Sequence, residues 1–595
     1  MRGAAAMLRF LKGLLISFGV LFLVLVVGAA VGLRYVAGQW QPEPLPKHMV
    51  LSLTLKPGLR ETSVGALPFE NVFNPGSPSL LDLVNTLKAA SEDERVQGLF
   101  LDLSAAEVRP AEAQELREAI SRFRASGRFV QAYADSLEGN GGISTYHLAT
   151  GAESIALQPS GLLDIRGISL STPFFGEALE KLGIEADFRT RHEYKGAAAS
   201  MTSAAFPPQI RQNYRRLVDS LYAGIAADIA TARRLSPSSV NGLIDTAPLT
   251  AGEAKSNGLI DQMFYRDEAI DAARARADGA RLVPLTRYSN DADFGFGDDG
   301  TVRIAVIAVD GPIVRGRAPL FARDRQAAAQ SIVNAVEDAR KDTRVKAIIL
   351  RVSSPGGSYV ASDTILHALS AARSDGMPII VSMSDMAASG GYFVALAADH
   401  VVAHPNTITG SIGVVSGKLN LSGFLAEYGI RTDSVSAGGN ADMFSMTKPF
   451  SAAESARLDA VLDTIYEDFT AKVASARRLG PVEIDAAARG RVWSGEDAKR
   501  IGLVDVLGGY AEAEGLARDS AGIAPETRTA LVAYPEPRKN LDAFVTAIEE
   551  GEIGESVSRL DALLTFLRYS GTMKSVLNST GGDRIEAAAP PINVR

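Results

Sequence analysis

The chain contains no cysteine. That absence excludes a disulfide framework, a cysteine nucleophile and a thiolate zinc site together, and it leaves the redox compartment open. Histidine is scarce as well. The six residues His48, His147, His192, His367, His400 and His404 show neither an HExxH spacing nor a tight cluster, so no metal site is expected. An excess of positive charge is also missing: 61 basic against 69 acidic residues give a net charge of −8, which argues against a large nucleic-acid-binding face. Wholesale disorder is excluded by 46% hydrophobic and 22% charged residues.

What is present begins with a long apolar run. GLLISFGVLFLVLVVGAAVGL (13–33) carries no charge, and about 20 such residues let a helix cross the hydrocarbon core. Arg2, Arg9 and Lys12 precede it and only Arg34 follows closely. The positive-inside rule therefore keeps residues 1–12 in the cytoplasm and the remaining mass outside. The apolar region of a signal peptide spans only about 7–15 residues, so a retained anchor is expected, with Gly28-Ala29-Ala30 as the place where a cleavage would fall. A Pro-rich juxtamembrane linker (34–48) follows.

A chain of 595 residues is too long for one core, and it is written twice. RVQGLFLDLSA (95–105) returns as RVKAIILRVSS (344–354), TARRL (231–235) as SARRL (475–479), and AKSNGLID (254–261) as AKRIGLVD (498–505), at offsets of 249, 244 and 244 residues. Short apolar strands alternate with amphipathic helices, the pattern of an α/β layered fold. Two homologous α/β domains are expected, 49–288 and 301–525, with a polar, glycine-rich linker (289–300) between them and a tail (526–595) that holds one amphipathic stretch, 558–571.

The repeats differ where chemistry would sit. Ser389-Gly390-Gly391 in the second stands where the first has Asn140-Gly141-Gly142, so the second alone offers a hydroxyl. SSPGGS (353–358) follows an apolar strand where the first has SAAEVR (104–109). Paired glycines at a strand end let backbone N–H groups turn outward, as an oxyanion hole requires, although a lone PGG is more often a tight turn. TGSIGVV (409–415) brings Ser411 into the second repeat where the first has LDIRGIS (163–169).

A serine needs a base. His400 and His404 lie nearby without an evident carboxylate partner. The first repeat supplies another candidate, Lys195 in RHEYKGAAASMTSAAF (191–206), and a shift of about 245 residues puts Asn440 opposite it. The first repeat kept a lysine and lost the serine; the second did the reverse. A lysine acts as a base only when burial lowers its pKa from about 10.4 toward neutrality, and the alanine-rich surroundings permit that. The two repeats are thus expected to meet at their junction.

The anchor, the duplication, EYKGA (193–197), SSPGGS, MAASGGY (386–392) and TGSIG (409–413) together resemble the long, two-domain form of the signal peptide peptidase A (protease IV) family of membrane-bound bacterial serine proteases. The resemblance reaches from the anchor to about residue 525. It implies tandem crotonase/Clp-protease-like ββα domains and a Ser-Lys dyad endopeptidase that degrades signal peptides left in the inner membrane, with its catalytic domains on the periplasmic side. Ser389 then matches the nucleophile, Lys195 the general base and Ser411 the residue that orients the lysine. The oxyanion hole falls to Gly356 or Gly357 together with Gly390. No metal or cofactor and no nucleic acid is implied; the partners are signal-peptide remnants and other apolar peptides, membrane lipid through 13–33, and further copies in a homotetramer. The alternatives are a crotonase-type acyl-CoA hydratase or isomerase, which the anchor does not fit, and a non-catalytic membrane scaffold.

Overall fold

Runs such as KAIILRV, apolar at nearly every position, are the signature of parallel strands buried on both faces. In the computed structural model, which describes residues 43–63, 78–139, 141–291, 301–317, 325–536 and 585–588, they form two parallel sheets. The apolar run 13–33, most of the linker and the tail stretch 558–571 lie outside the described residues. Among the described residues no helix is long and apolar enough to cross a membrane.

The first repeat contributes β1 (Met49–Thr54), β2 (Val96–Asp102), β3 (Phe129–Ala134), β4 (Ser154–Leu157), β5 (Glu185–Arg191), β6 (Gln262–Met263) and β7 (Arg281–Pro284). All but β5 pair in parallel in the order β6-β4-β3-β2-β1-β7. The second contributes β8 (Val302–Asp310), β9 (Val345–Ser354), β10 (Gly356–Ser358), β11 (Ile379–Ala388), β12 (His400–Ala403), β13 (Ile408–Gly410), β14 (Val414–Asn420), β15 (Val492–Ser494), β16 (Val506–Leu507) and β17 (Thr529–Tyr534). Its order β16-β12-β11-β9-β8-β17 reproduces that of the first, and β13 continues alongside the far end of β11. The helix Leu285–Asp291 runs through the expected boundary at 288, and β17 carries the second sheet past residue 525 to Tyr534.

Helices repeat as well. α1 (Pro110–Ala125) belongs to the first repeat, as does α2 (Pro208–Arg233), whose counterpart in the second is α3 (Ala452–Arg477). α2 and α3 each have 26 residues and each ends on a left-handed arginine, Arg234 and Arg478, both at φ 55°. Just before those caps Arg233 holds Asp261 and the Gly258 carbonyl, while Arg477 holds Asp505 and the Gly502 carbonyl.

Two of the features that bind the repeats to each other stand out. First, β5 leaves its own repeat and pairs antiparallel with β14 over seven residues, from Arg191 opposite Val414 to Glu185 opposite Asn420. Second, α1 packs its polar residues against the second sheet. There Arg351, in the middle of β9 and fully buried, donates to Glu61 (2.8 Å) and Ser382 Oγ (2.7 Å), pairs with Glu115 (2.9 Å), and sits 4.3 Å from the Tyr510 ring. A guanidinium taken out of water needs such partners. Burial alone would raise the Glu115 pKa, but Arg351 and His404 outweigh it and hold the carboxyl at about 2. His404 therefore has a carboxylate partner after all, and its role lies in this inter-repeat contact.

Candidate active site

Strand β11 delivers Ser389. The chain leaves the strand with Ser389 at φ 56°, ψ −116°, a conformation that side-chain-bearing residues seldom adopt. It is pinned there by its N–H to the Gly410 carbonyl (2.8 Å) and by its own carbonyl, which accepts from Phe393 N–H (2.9 Å). The following glycines are required by space: a Cβ on Gly390 would sit 2.6 Å from Ser362 Oγ, and one on Gly391 2.7 Å from the Ser354 carbonyl.

Lys195 reaches this serine because β5 runs along β14 and stops beside the turn that holds Ser411. Its Nζ lies 2.7 Å from Ser389 Oγ, 2.9 Å from the Ser411 carbonyl and 3.2 Å from Ser411 Oγ. Lys195 is 3% exposed, and Ser389 and Ser411 are fully buried. Burial pushes the lysine pKa well below its ordinary value, and among the described residues no carboxylate pairs with it to pull it back. A neutral amine has two N–H groups and one lone pair. With the N–H groups on the Ser411 carbonyl and hydroxyl, the lone pair faces the Ser389 hydroxyl, the geometry of a base about to accept a proton.

The SPGG turn lies against the same serine. Gly356 (φ 98°) donates its N–H to Ser354 Oγ at 3.1 Å, so that donor is already engaged. Gly357 (φ 149°) tolerates no side chain, since a Cβ would fall 2.2 Å from the Ile313 carbonyl. Its nitrogen approaches to 3.2 Å of where a Gly390 Cβ would stand. The strand β18 (Ile585–Ala588) runs antiparallel between β10 and β14, with Ala588 and Ala587 opposite Gly356 and Gly357. The slot beside Ser389 thus has the width of one extended peptide.

Among the described residues the first repeat has no such centre. At the matching place lies a cavity of about 320 Å³ lined by Ser104, Asp135, Glu138, Thr145 and Gln158 among others, while Asn140 is outside the described residues. Asn440, aligned with Lys195, is on an exposed loop. The residues that sequence reasoning missed are Arg489, Gly490 and Arg491, whose loop touches both halves of the centre; their absence from the first repeat, at the same offset, was the available signal.

Residues 122–279 and 371–524 each match the model of peptidase family S49. The chain is 28% identical over 85% of its length to the chloroplastic serine protease SPPA of Arabidopsis thaliana, covering 74% of that protein. It is 32% identical to Protease 4 of Salmonella typhi, over 74% of this chain and 72% of that one. A putative signal peptide peptidase SppA of Enterococcus faecium is 32% identical over 35% of this chain and 61% of its own.

Proposed function

Because this chain belongs to peptidase family S49 and is a serine peptidase, we propose that it is a Ser-Lys dyad endopeptidase that degrades signal peptides remaining in the membrane after export. The observation that carries the reading is the 2.7 Å approach of Lys195 Nζ to Ser389 Oγ in a buried crevice.

Neutral Lys195 takes the Ser389 proton as Oγ attacks the scissile carbonyl. The anion on the carbonyl oxygen is met by backbone N–H groups, and Gly357 with Gly390 is the favoured pair because the Gly356 N–H is engaged by Ser354. Lys195 then hands its proton to the departing amine nitrogen and the peptide bond breaks, leaving an ester on Ser389. A water gives a proton to Lys195 as its oxygen attacks the ester, and the lysine passes that proton to Ser389 Oγ as the ester bond breaks and the acid product leaves. Ser411 fixes the direction of the lysine lone pair.

Substrate lies extended between β10 and β14, main chain to main chain, which suits apolar peptides of varied sequence. The name of the Enterococcus faecium relative supports signal peptides as the class. The domain boundaries we propose are those of the two repeats, and the fold type we propose for each is the crotonase/Clp-protease one; the strand order they share supports two copies of one unit. Residues 13–33 form a single span that keeps the repeats on the extracytoplasmic face of a bacterial inner membrane, supported by the uncharged run and the basic residues before it. Assembly is as a homotetramer.

The test is digestion of a synthetic signal peptide by the detergent-solubilised protein, with the cuts located by mass spectrometry. Cleavage that disappears in Ser389→Ala is expected; cleavage that persists at the wild-type rate refutes the assignment.

A further inference from the structure

Ser389 and Lys195 are 194 residues apart in the chain and come from different repeats, so something must fix their separation. The loop that follows α4 (Pro481–Ala487) and leads into β15 touches the backbone around Lys195 and the Ser411 turn beside Ser389 without bonding either reacting atom. The Tyr194 N–H donates to the Arg489 carbonyl (3.3 Å), which holds the residue just before the lysine. On the other side Gly490 N–H donates to the Ile412 carbonyl (2.7 Å) and Ser411 N–H to the Arg491 carbonyl (2.6 Å).

Gly490 is the pivot. It lies at φ 84°, and a Cβ there would be 2.5 Å from the Lys195 nitrogen and 2.6 Å from its Cα. Across the lysine, a Cβ on Gly413 would come within 3.1 Å of Lys195 Cδ and 3.3 Å of Gly490 Cα. The lysine is therefore gripped between two glycines of the other repeat. Outside this grip Arg489 pairs with Glu193 at 3.0 Å, and the Arg491 guanidinium lies 4.0 Å from the Tyr194 ring.

The repeats supply a comparison. Ser494 and Thr250, 244 residues apart, both cap a helix by accepting the N–H three residues on, which fixes the local alignment. At the same offset Gly490 corresponds to Thr246, the last residue of a helix. The repeat without a serine has no glycine turn at this place.

We infer that Arg489-Gly490-Arg491 is a positioning bracket that sets the Lys195–Ser389 spacing by holding the lysine loop and the Ser411 turn in one frame. The inference rests on the Ser-Lys reading, and its test is distinct because every variant is compared with active wild type while Ser389 stays in place.

Gly490→Ala must displace the lysine backbone, and a misplacement of about 1 Å lowers turnover by about 100-fold. The expected result is kcat reduced about 100-fold on a fluorogenic peptide, KM within about twofold, an unchanged end-point titre of Ser389 with a fluorophosphonate, and a shifted acid limb of the kcat–pH profile. Gly439→Ala, where a Cβ meets nothing within 4 Å, serves as control. Folded Gly490→Ala with kcat within about threefold of wild type, or with an unmoved acid limb, overturns the inference. If Gly490→Ala does not fold, the decision passes to Arg489. Arg489→Ala reduced about fivefold and Arg489→Lys restored to within about twofold supports the bracket; Arg489→Ala at the wild-type rate overturns it.

Discussion

Replacing Lys195 by Met keeps an unbranched apolar stem in the crevice and removes only the amine. Three contacts vanish: 2.7 Å to Ser389 Oγ, 2.9 Å to the Ser411 carbonyl and 3.2 Å to Ser411 Oγ. A positioned general base contributes about 10²–10⁴ in rate, or about 3–5 kcal/mol of barrier, so kcat/KM on a signal-derived peptide should fall by that factor. Wild type should lose activity tenfold per pH unit below the lysine's lowered pKa, a limb the Met variant lacks. Stability gives an independent reading. The folded-state pKa lies below the unfolded value of about 10.4, so between the two the unfolded chain binds the extra proton and wild-type stability rises with pH. Relative to wild type, Lys195→Met should therefore stand highest at and below the lysine's lowered folded-state pKa and lose that advantage as pH approaches about 10. Leaving the Ser411 carbonyl without its donor offsets part of the gain, by about 1–3 kcal/mol. Urea titrations at several pH values measure the difference. A Met variant with activity within tenfold of wild type, and with the same pH dependence of activity and stability, would refute the buried-base reasoning.

Ser411→Ala removes the 3.2 Å hydroxyl contact but spares the carbonyl contact at 2.9 Å, so a loss of about five- to tenfold in kcat is expected, read from initial rates. A chain ending at residue 584 vacates the slot that β18 occupies between β10 and β14, and its kcat/KM toward an apolar peptide should rise severalfold; no change would mean that substrate enters elsewhere. Arg351→Ala leaves Glu61 and Glu115 buried without their cation, and denaturant unfolding should show a loss of about 3–5 kcal/mol.

Much of this was legible in the chain. That the chain is two copies of one α/β unit follows from apolar runs that recur at nearly constant offsets, and Lys195, Ser389 and Ser411 stand out because each repeat lacks what the other has. Comparison of repeats is informative wherever one copy has been freed from a chemical constraint. Sequence could not choose between Gly356 and Gly357, since that depends on whether Ser354 turns its hydroxyl to the Gly356 N–H. Nor could it show that β5 crosses to the other repeat, because its charged residues alternate with uncharged ones like those of any edge strand. Arg351 reads as a break in an apolar strand until Glu61 and Glu115, distant in sequence, close over it. Contacts between distant segments were the unreadable part.

The central claim is that a neutral Lys195 activates Ser389. It is tested most directly by following covalent modification with a fluorophosphonate across pH, with the modified residue located by peptide mass spectrometry. The account requires a single adduct on Ser389 that forms rapidly at neutral pH, slows tenfold per unit in acid, and forms at least about 100-fold more slowly in Lys195→Met. An adduct on another residue, or a Ser389 adduct whose rate ignores both acid and the loss of the amine, contradicts it.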